Sequence, residues 1–132
     1  MTDYDLIELA KHAAENSYSP YSKFKVGAAL LCMDGTVFSG CNIENVSFGA
    51  TNCAERTAIF AAVINGHKDF SKIAVVGSSD GNISSFTPPC GICRQVLNEF
   101  CDNDFKIILF DGKNTKSFTL VEMLPYSFSE FK

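Results

Sequence analysis

The chain is short of the features that would point to a nucleic acid, a membrane or an export route. Its 132 residues carry 11 Lys and Arg against 15 Asp and Glu, a net charge of -4, and the sequence pI is about 5.0. No cluster of Lys or Arg interrupts that acidic balance, so a phosphate backbone meets no complementary surface. This argues against DNA and RNA as partners and favours a small neutral ligand. No apolar run approaches the ~20 residues of a membrane-spanning helix. The first residues, Met-Thr-Asp-Tyr-Asp, have neither the basic region nor the apolar run of a signal peptide, so a cytoplasmic protein is expected. Internal repeats, linkers and low-complexity segments are absent, and the length suits one domain, residues 1–132, with one core.

What is present is a globular composition, 46% hydrophobic and 20% charged. Leu6, Leu9, Ala10, Ala13 and Ala14 recur at helical spacing and predict an amphipathic helix over 3–16, with Thr2 and Asp5 as a capping box. Residues 17–22, with Pro20 and two tyrosines, read as a loop. A strand over 24–33 is followed by Asp34-Gly35, expected as a two-residue hairpin turn, and by a returning strand over 36–41. A polar connection, 42–50, leads to a helix from about 53 to 65, closed by Gly66. Residues 72–78, Lys-Ile-Ala-Val-Val-Gly-Ser, form an apolar run expected of a strand covered on both faces. After a loop, Pro88-Pro89 sets up a helix from 90 to about 100. Strands over 106–110 and 115–119 flank the Asp111-Gly112 turn, a short helix over 120–124 stops at Pro125, and the tail 126–132 carries Phe128 and Phe131. Interleaved helices and apolar strands predict an α/β sandwich with a mixed sheet. The strand–helix–strand connections of the second half suggest parallel pairing there.

Six cysteines in a chain with no export signal point to a metal site or buried thiols before disulfides. Three of them fall into a pattern. Thr-Asn-Cys-Ala-Glu-Arg at 51–56 places a thiol at Cys53 and a carboxylate at Glu55. Pro-Pro-Cys-Gly-Ile-Cys at 88–93 supplies Cys90 and Cys93. Cys-x-Glu followed by Pro-Cys-x-x-Cys resembles the zinc-deaminase signature in a three-cysteine form. Three thiolates can hold one Zn2+ per chain and leave a fourth tetrahedral position for water. The metal would bring that water's pKa toward neutrality, and a carboxylate beside it could move protons. Cys53 and Cys90 fall at predicted helix starts, where unpaired N–H groups and the helix dipole favour thiolate. Three thiolates and one zinc ion leave a net charge of -1, which would weaken the metal as a Lewis acid. Arg56 and Arg94 follow the motif residues, and one or both guanidiniums are expected to donate to the sulfurs, Arg56 foremost.

Plainer explanations compete. Glu55 alone would read as a capping-box partner of Asn52, and Cys-x-x-Cys alone also suits a redox pair; occurring together, the two motifs favour the metal site. A structural four-ligand zinc would need Cys32, Cys41, Cys101, His12 or His67, and none lies at short ligand spacing from the three. The remaining cysteines read as small core residues, His12 as part of the polar helix face, and His67 as solvent-exposed.

Beyond the motifs, the chain resembles the small homotetrameric cytidine deaminases, nearly end to end. Four blocks carry the likeness: Phe-Lys-Val-Gly-Ala-Ala-Leu at 24–30, Gly-Cys-Asn-Ile-Glu-Asn at 40–45, Cys-Ala-Glu-Arg-Thr-Ala at 53–58, and 88–93 with Arg94-Gln95. The resemblance implies a three-layer α/β/α sandwich with a mixed five-stranded sheet, and deamination of cytidine and deoxycytidine. It implies Cys53, Cys90 and Cys93 as zinc ligands and Glu55 as proton shuttle. Asn42 and Glu44 would hydrogen-bond the ribose hydroxyls, Phe24 would lie against the pyrimidine, and the Ala54 backbone would read the base edge. Phe128 would reach a neighbouring subunit's site in a homotetramer. Phe48 stands where the family often has a tyrosine, so a weaker grip on the sugar is expected, on the order of 1 kcal/mol. Deaminases of tRNA or DNA typically carry histidine in place of Cys53. The rival readings are a deaminase of another small amine, such as a blasticidin-type antibiotic, and a zinc or redox module without catalysis.

Overall fold

The computed structural model describes residues 1–131. Its elements are α1 (Asp3–Ala14), β1 (Lys25–Cys32), β2 (Val37–Cys41), α2 (Ala54–Ile64), β3 (Phe70–Ser78), α3 (Gly91–Phe100), β4 (Lys106–Phe110), β5 (Thr115–Thr119) and α4 (Leu120–Met123), with one 3-10 turn at Phe48–Ala50. The five strands form one sheet in the order β2-β1-β3-β4-β5. β1 runs antiparallel to both β2 and β3, so β2 and β3 point the same way on either side of it. β3 and β4 are parallel and β4 and β5 antiparallel. The sheet is mixed, as expected.

Helices cover both faces. On one, Leu6, Ile7 and Ala10 of α1 pack on Ala29, Ala74, Val76, Ile108 and Phe110. On the other, Ala54, Ala58, Ile59 and Ala62 of α2, Leu97 of α3 and Leu120 of α4 pack on Leu30, Ile73, Val75, Ile107 and Leu109. The apolar runs in β3 and β4 follow from this: successive side chains enter opposite cores, and both cores are dry. The result is three layers, α1, sheet, and α2 with α3 and α4. Asp3 ties the outer layer down, accepting from Lys72 and Lys106 at 2.7 Å each, and Thr2 and Asp5 form the reciprocal capping box.

Two expectations need correction. The hairpin after β1 is not a two-residue turn. Gly35 N–H donates to the Cys32 carbonyl at 3.0 Å and Cys32 N–H to the Thr36 carbonyl at 2.8 Å, leaving a three-residue loop. Gly35 alone takes a left-handed φ, +92°, and Asp34 does not. A two-residue type I′ turn would require positive φ at both positions, whereas one left-handed glycine after a type I turn makes the longer loop. Asp34 instead accepts from Thr36 N–H at 3.0 Å. Second, His67 is not open to solvent. Its ring meets Phe38 edge-on at 5.0 Å and its Nε2 lies 3.1 Å from Asp34. The end of α2 turns it inward, with Gly66 N–H bonded to Val63 and His67 N–H to Ala62.

One contact fixes where α2 begins. A Cβ on Gly40 of β2 would strike the Ala54 carbonyl oxygen and lie 2.5 Å from the Ala58 nitrogen, so the first turns of the helix rest directly on the strand. Gly40→Ala should therefore cost about 1–3 kcal/mol or more through overpacking, a fall of several degrees in Tm. Gly49→Ala, where a Cβ meets nothing within 4 Å, should stay within ~0.5 kcal/mol of the parent. Thermal unfolding of both variants checks this, and equal melting points would contradict the close approach.

Candidate metal centre

β2 and β3 run in the same direction, and α2 and α3 are the helices that follow them. Both helices therefore start at the same edge of the sheet, on the same face. Cys53 is the N-cap residue of α2 and Cys90 that of α3, and neither side chain caps its own helix. The sulfurs are thus free to turn toward each other. Cys93, one turn into α3, is buried beneath them. The three Sγ atoms lie within 4.8 Å of one another, and Cys53 and Cys90 are 3.6 Å apart. Tetrahedral zinc with ~2.3 Å bonds to sulfur sets ligand sulfurs about 3.8 Å apart, so the donor set fits the ion in type and spacing. Among the described residues, no further Cys, His, Asp or Glu joins this group.

The electrostatics favour a thiolate at Cys53. Arg56 Nη2 donates to Cys53 Sγ at 3.2 Å, and the same guanidinium lies close enough to Cys93 to act on its charge. Its Nε is buried without a partner. The neighbouring Cys93, together with Arg56 and Cys90, lowers the Cys53 thiol to about 5. Cys93 carries the proton of that pair, and burial adds to its upward shift. A divalent cation between the sulfurs would displace such protons. Arg94 behaves otherwise than expected. Its Nε donates to the Pro89 carbonyl at 2.7 Å and its Nη1 to the Met123 carbonyl at 2.8 Å, so it pins the start of α3 to α4 and offers the sulfurs nothing. The reason is position: Arg94 projects toward α4, while Arg56 lies one turn above Cys53.

Glu55 is 3% exposed. Burial pushes its carboxyl up to about 7, offset in part by a bond to its own backbone N–H. It is not a cap for Asn52: the helix is capped at Cys53, the Asn52 N–H goes to the Ile43 carbonyl and its side chain to Thr57. The acid is thus buried, close to the thiols and outside the ligand set.

The 42–44 segment expected to meet a substrate is tied to this centre through the start of α2. Ile43 and Asn52 form a β-bridge, which sets the 42–44 segment against the residue preceding Cys53. Asn42 is buried; its Nδ2 donates to the Phe24 carbonyl at 2.8 Å, and its Oδ1 accepts from Val26 N–H at 2.9 Å and from the Ser17 hydroxyl. The half-buried Phe24 ring lies over Gly77, where a Cβ would come within 2.8 Å of it. Ala54 is fully buried at the start of α2. Glu44 accepts from the N–H groups of Tyr21 and Ser22 at 3.0 and 3.1 Å and from the Ser22 hydroxyl. It lines a recess of about 340 Å³ with Tyr21, Ser22 and Phe48. Phe128 stands apart, 62% exposed, its carbonyl held by Gln95 on α3 at 2.9 Å and its ring against Phe131. A larger cleft of about 560 Å³, lined by Lys11, Lys25 and Phe110, lies on the α1 side of the sheet, across it from the thiols. Sequence reasoning passed over Ser17 and Ser22, whose hydroxyls support Asn42 and Glu44. Their only signal was a run of serine and tyrosine beside Pro20.

The burial of Glu55 has a consequence for stability. With an ordinary value of 4.5 and a folded value of about 7, the folded metal-free chain binds more protons than the unfolded chain between those limits. Its stability therefore falls on this account as pH rises from about 4.5 to 7. At ~1.4 kcal/mol per unit the loss is on the order of 3 kcal/mol. Chelator-treated Glu55→Gln should match the parent near pH 4.5 and exceed it by that order at pH 8 in denaturant titrations. A difference independent of pH would contradict it.

Comparison with known proteins places these features in context. Residues 1–109 match the family model described as the cytidine and deoxycytidylate deaminase zinc-binding region. A cytidine deaminase from Sporosarcina psychrophila is 48% identical over 126 residues, 95% of this chain and 90% of that protein. One from Halalkalibacterium halodurans is also 48% identical, over 94% of this chain and 92% of its own. The crystal structure of cytidine deaminase from Burkholderia pseudomallei superposes with a TM-score of 0.89 at 45% identity, covering 97% of this chain and 100% of that one.

Proposed function

The chain belongs to the zinc-binding cytidine and deoxycytidylate deaminase family, and on that footing we propose that it hydrolyses cytidine and deoxycytidine to uridine and deoxyuridine with release of ammonia. The observation that carries this is a single one: three sulfurs from two helix starts converge beside a buried carboxyl that does not share their ligand geometry. Cys53, Cys90 and Cys93 would hold the zinc ion, which when bound would acidify a water as the source of the nucleophile.

The remaining chemistry belongs to the chain. Glu55 takes a proton from the water and delivers it to ring nitrogen 3 as carbon 4 is attacked. It then takes the proton of the hydroxyl now on carbon 4 and passes it to the exocyclic amine; the carbon–nitrogen bond breaks, ammonia leaves and the carbonyl of uridine forms. A carboxyl held near neutrality by burial suits a group that must act as base and then as acid. Arg56, hydrogen-bonded to Cys53 and close to Cys93, offsets the surplus negative charge of three thiolates. Phe24 lies against the pyrimidine and the Ala54 backbone reads its edge. Asn42 and Glu44 meet the ribose hydroxyls; an ionised Glu44 accepts from a hydroxyl and repels a phosphate, so a nucleoside fits better than a nucleotide.

The homotetramer implied by resemblance has support in α2. Phe60 and Ile64 of that helix are 49% and 85% exposed, although its opposite face fills the core, and a helix apolar on all sides calls for a second cover. Phe48 and Phe128 are exposed aromatics suited to a neighbour's site. A cytoplasmic location fits six cysteines that remain free thiols. None of the described helices is long and apolar enough to cross a membrane.

Ultraviolet absorbance of cytidine with the zinc-loaded protein tests the activity: the spectrum should shift steadily to that of uridine. Glu55→Ala should keep its zinc and lose 10²–10⁴-fold or more of the rate, on the order assigned to general acid–base catalysis; loss of the metal instead would make Glu55 a ligand. A flat trace for the parent with zinc bound would redirect the assignment to another amine, found with a substrate panel. In sizing experiments the protein should run as four chains of 14.4 kDa. A fully active monomer would refute both the tetramer and the role of Phe128.

A further inference from the structure

We infer that Ser22 is a positioning residue that aims Glu44 at one sugar hydroxyl and ties it to Phe24 at the base end. This rests on the assignment of Glu44 to the sugar. The Ser22 hydroxyl does two things at once: it donates to Glu44 Oε2 and accepts from the Phe24 N–H at 3.0 Å. The N–H groups of Tyr21 and Ser22 fill Oε1. A carboxylate has about four acceptor sites. Three are taken here by the loop, so one direction is left, on Oε2. The loop thus turns a carboxylate able to accept from many sides into an acceptor with one defined opening, beside the recess of about 340 Å³.

Apolar packing gives this loop one ring contact, Tyr21 edge-on to Phe48 at 6.4 Å. Tyr21, Ser22 and Lys23 are all exposed, and Lys23 sits at φ +60°, a left-handed conformation unfavourable for a residue with a Cβ. What holds it there is polar: Lys23 N–H bonds the Ser19 carbonyl at 3.1 Å, and Ser22 is turned to face Glu44 and Phe24 together. Strain kept in an exposed turn, with its hydrogen bonds converging on two substrate contacts, marks the turn as part of the site. The Ser22 hydroxyl is also the largest cause holding the Glu44 carboxyl below its ordinary range, which keeps it acceptor-only.

The test compares cytidine with 2′,3′-dideoxycytidine, which lacks the 2′- and 3′-hydroxyls, in Ser22→Ala, Ser22→Thr, Glu44→Gln and the Ser22→Ala/Glu44→Gln double variant. Ser22→Ala should lower kcat/KM for cytidine about tenfold, the loss of a charge-assisted hydrogen bond, with KM moving more than kcat. The penalty should be several times smaller on the dideoxy substrate. Ser22→Thr should restore the parent value, and the double variant should lose little more than the worse single one. Equal penalties on both substrates, or additive losses, would make Ser22 a loop-stabilising residue and overturn the inference. If Glu44→Gln itself fails to discriminate the substrates, the sugar assignment of Glu44 falls first, and the role of Ser22 with it. Should Ser22→Ala not fold, Ser22→Cys, a weak donor of similar size, carries the same comparison.

Discussion

The meeting of two helix starts at one edge of the sheet is the constraint on which the rest depends. It exists because β2 and β3 run in the same direction with β1 between them. Each is followed by a helix on the same face, and each helix begins with a cysteine whose sulfur is not spent on capping. The third sulfur comes without further design, since Cys93 lies one turn along α3 from Cys90. Gly40 sets the fit: only a residue with no side chain lets α2 rest on β2 closely enough to bring Cys53 to the meeting point.

Concentrating three thiols and an acid in one corner, with Cys93 and Glu55 buried in it, is electrostatically costly, and the chain answers it with placement. Positive helix ends lie behind Cys53 and Cys90, and the Arg56 guanidinium donates to Cys53 with Cys93 close by. Glu55 receives less compensation, chiefly from its own backbone N–H and in small part from the same Arg56. It lies in the same helical turn, but burial dominates its environment, and its affinity for protons stays high. Two neighbouring residues of α2 therefore serve opposite needs, Arg56 favouring negative charge on sulfur and Glu55 holding a proton available. A corner that pushes the proton affinities of its groups apart is suited to moving protons.

The substrate side is built differently. Where the metal centre relies on helix ends and burial, the 17–24 loop and the 42–44 segment are joined by hydrogen bonds alone: Ser17 and Val26 to Asn42, Asn42 to Phe24, Ser22 to Glu44. The Ile43–Asn52 bridge couples this polar lattice to the residue before Cys53. Displacement of either segment would thus be felt at the metal ligands, although no ligand lies in the lattice.

Local patterns alone determined a good deal. Helical spacing and the Thr2–Asp5 box located α1, alternation and apolar runs located all five strands, and β4 and β5 begin and end where the pattern places them, because these features depend on neighbours within a few residues. The ligand set was legible for the same reason: Cys-x-Glu and Pro-Cys-x-x-Cys are short, and the chemistry tolerates few substitutes. The tertiary structure decided whatever depends on partners distant in sequence. Arg56 and Arg94 look alike beside their cysteines, and only the packing of α4 against α3 diverts Arg94 to the Met123 carbonyl. Asp34-Gly35 reads as a tight turn, yet one positive φ rather than two makes a longer loop. Ser22 carried no signal of its own, because its partner Glu44 lies 22 residues away. Long side chains and single hydroxyls take their partners from whatever the fold brings within reach, and spacing along the chain does not encode that.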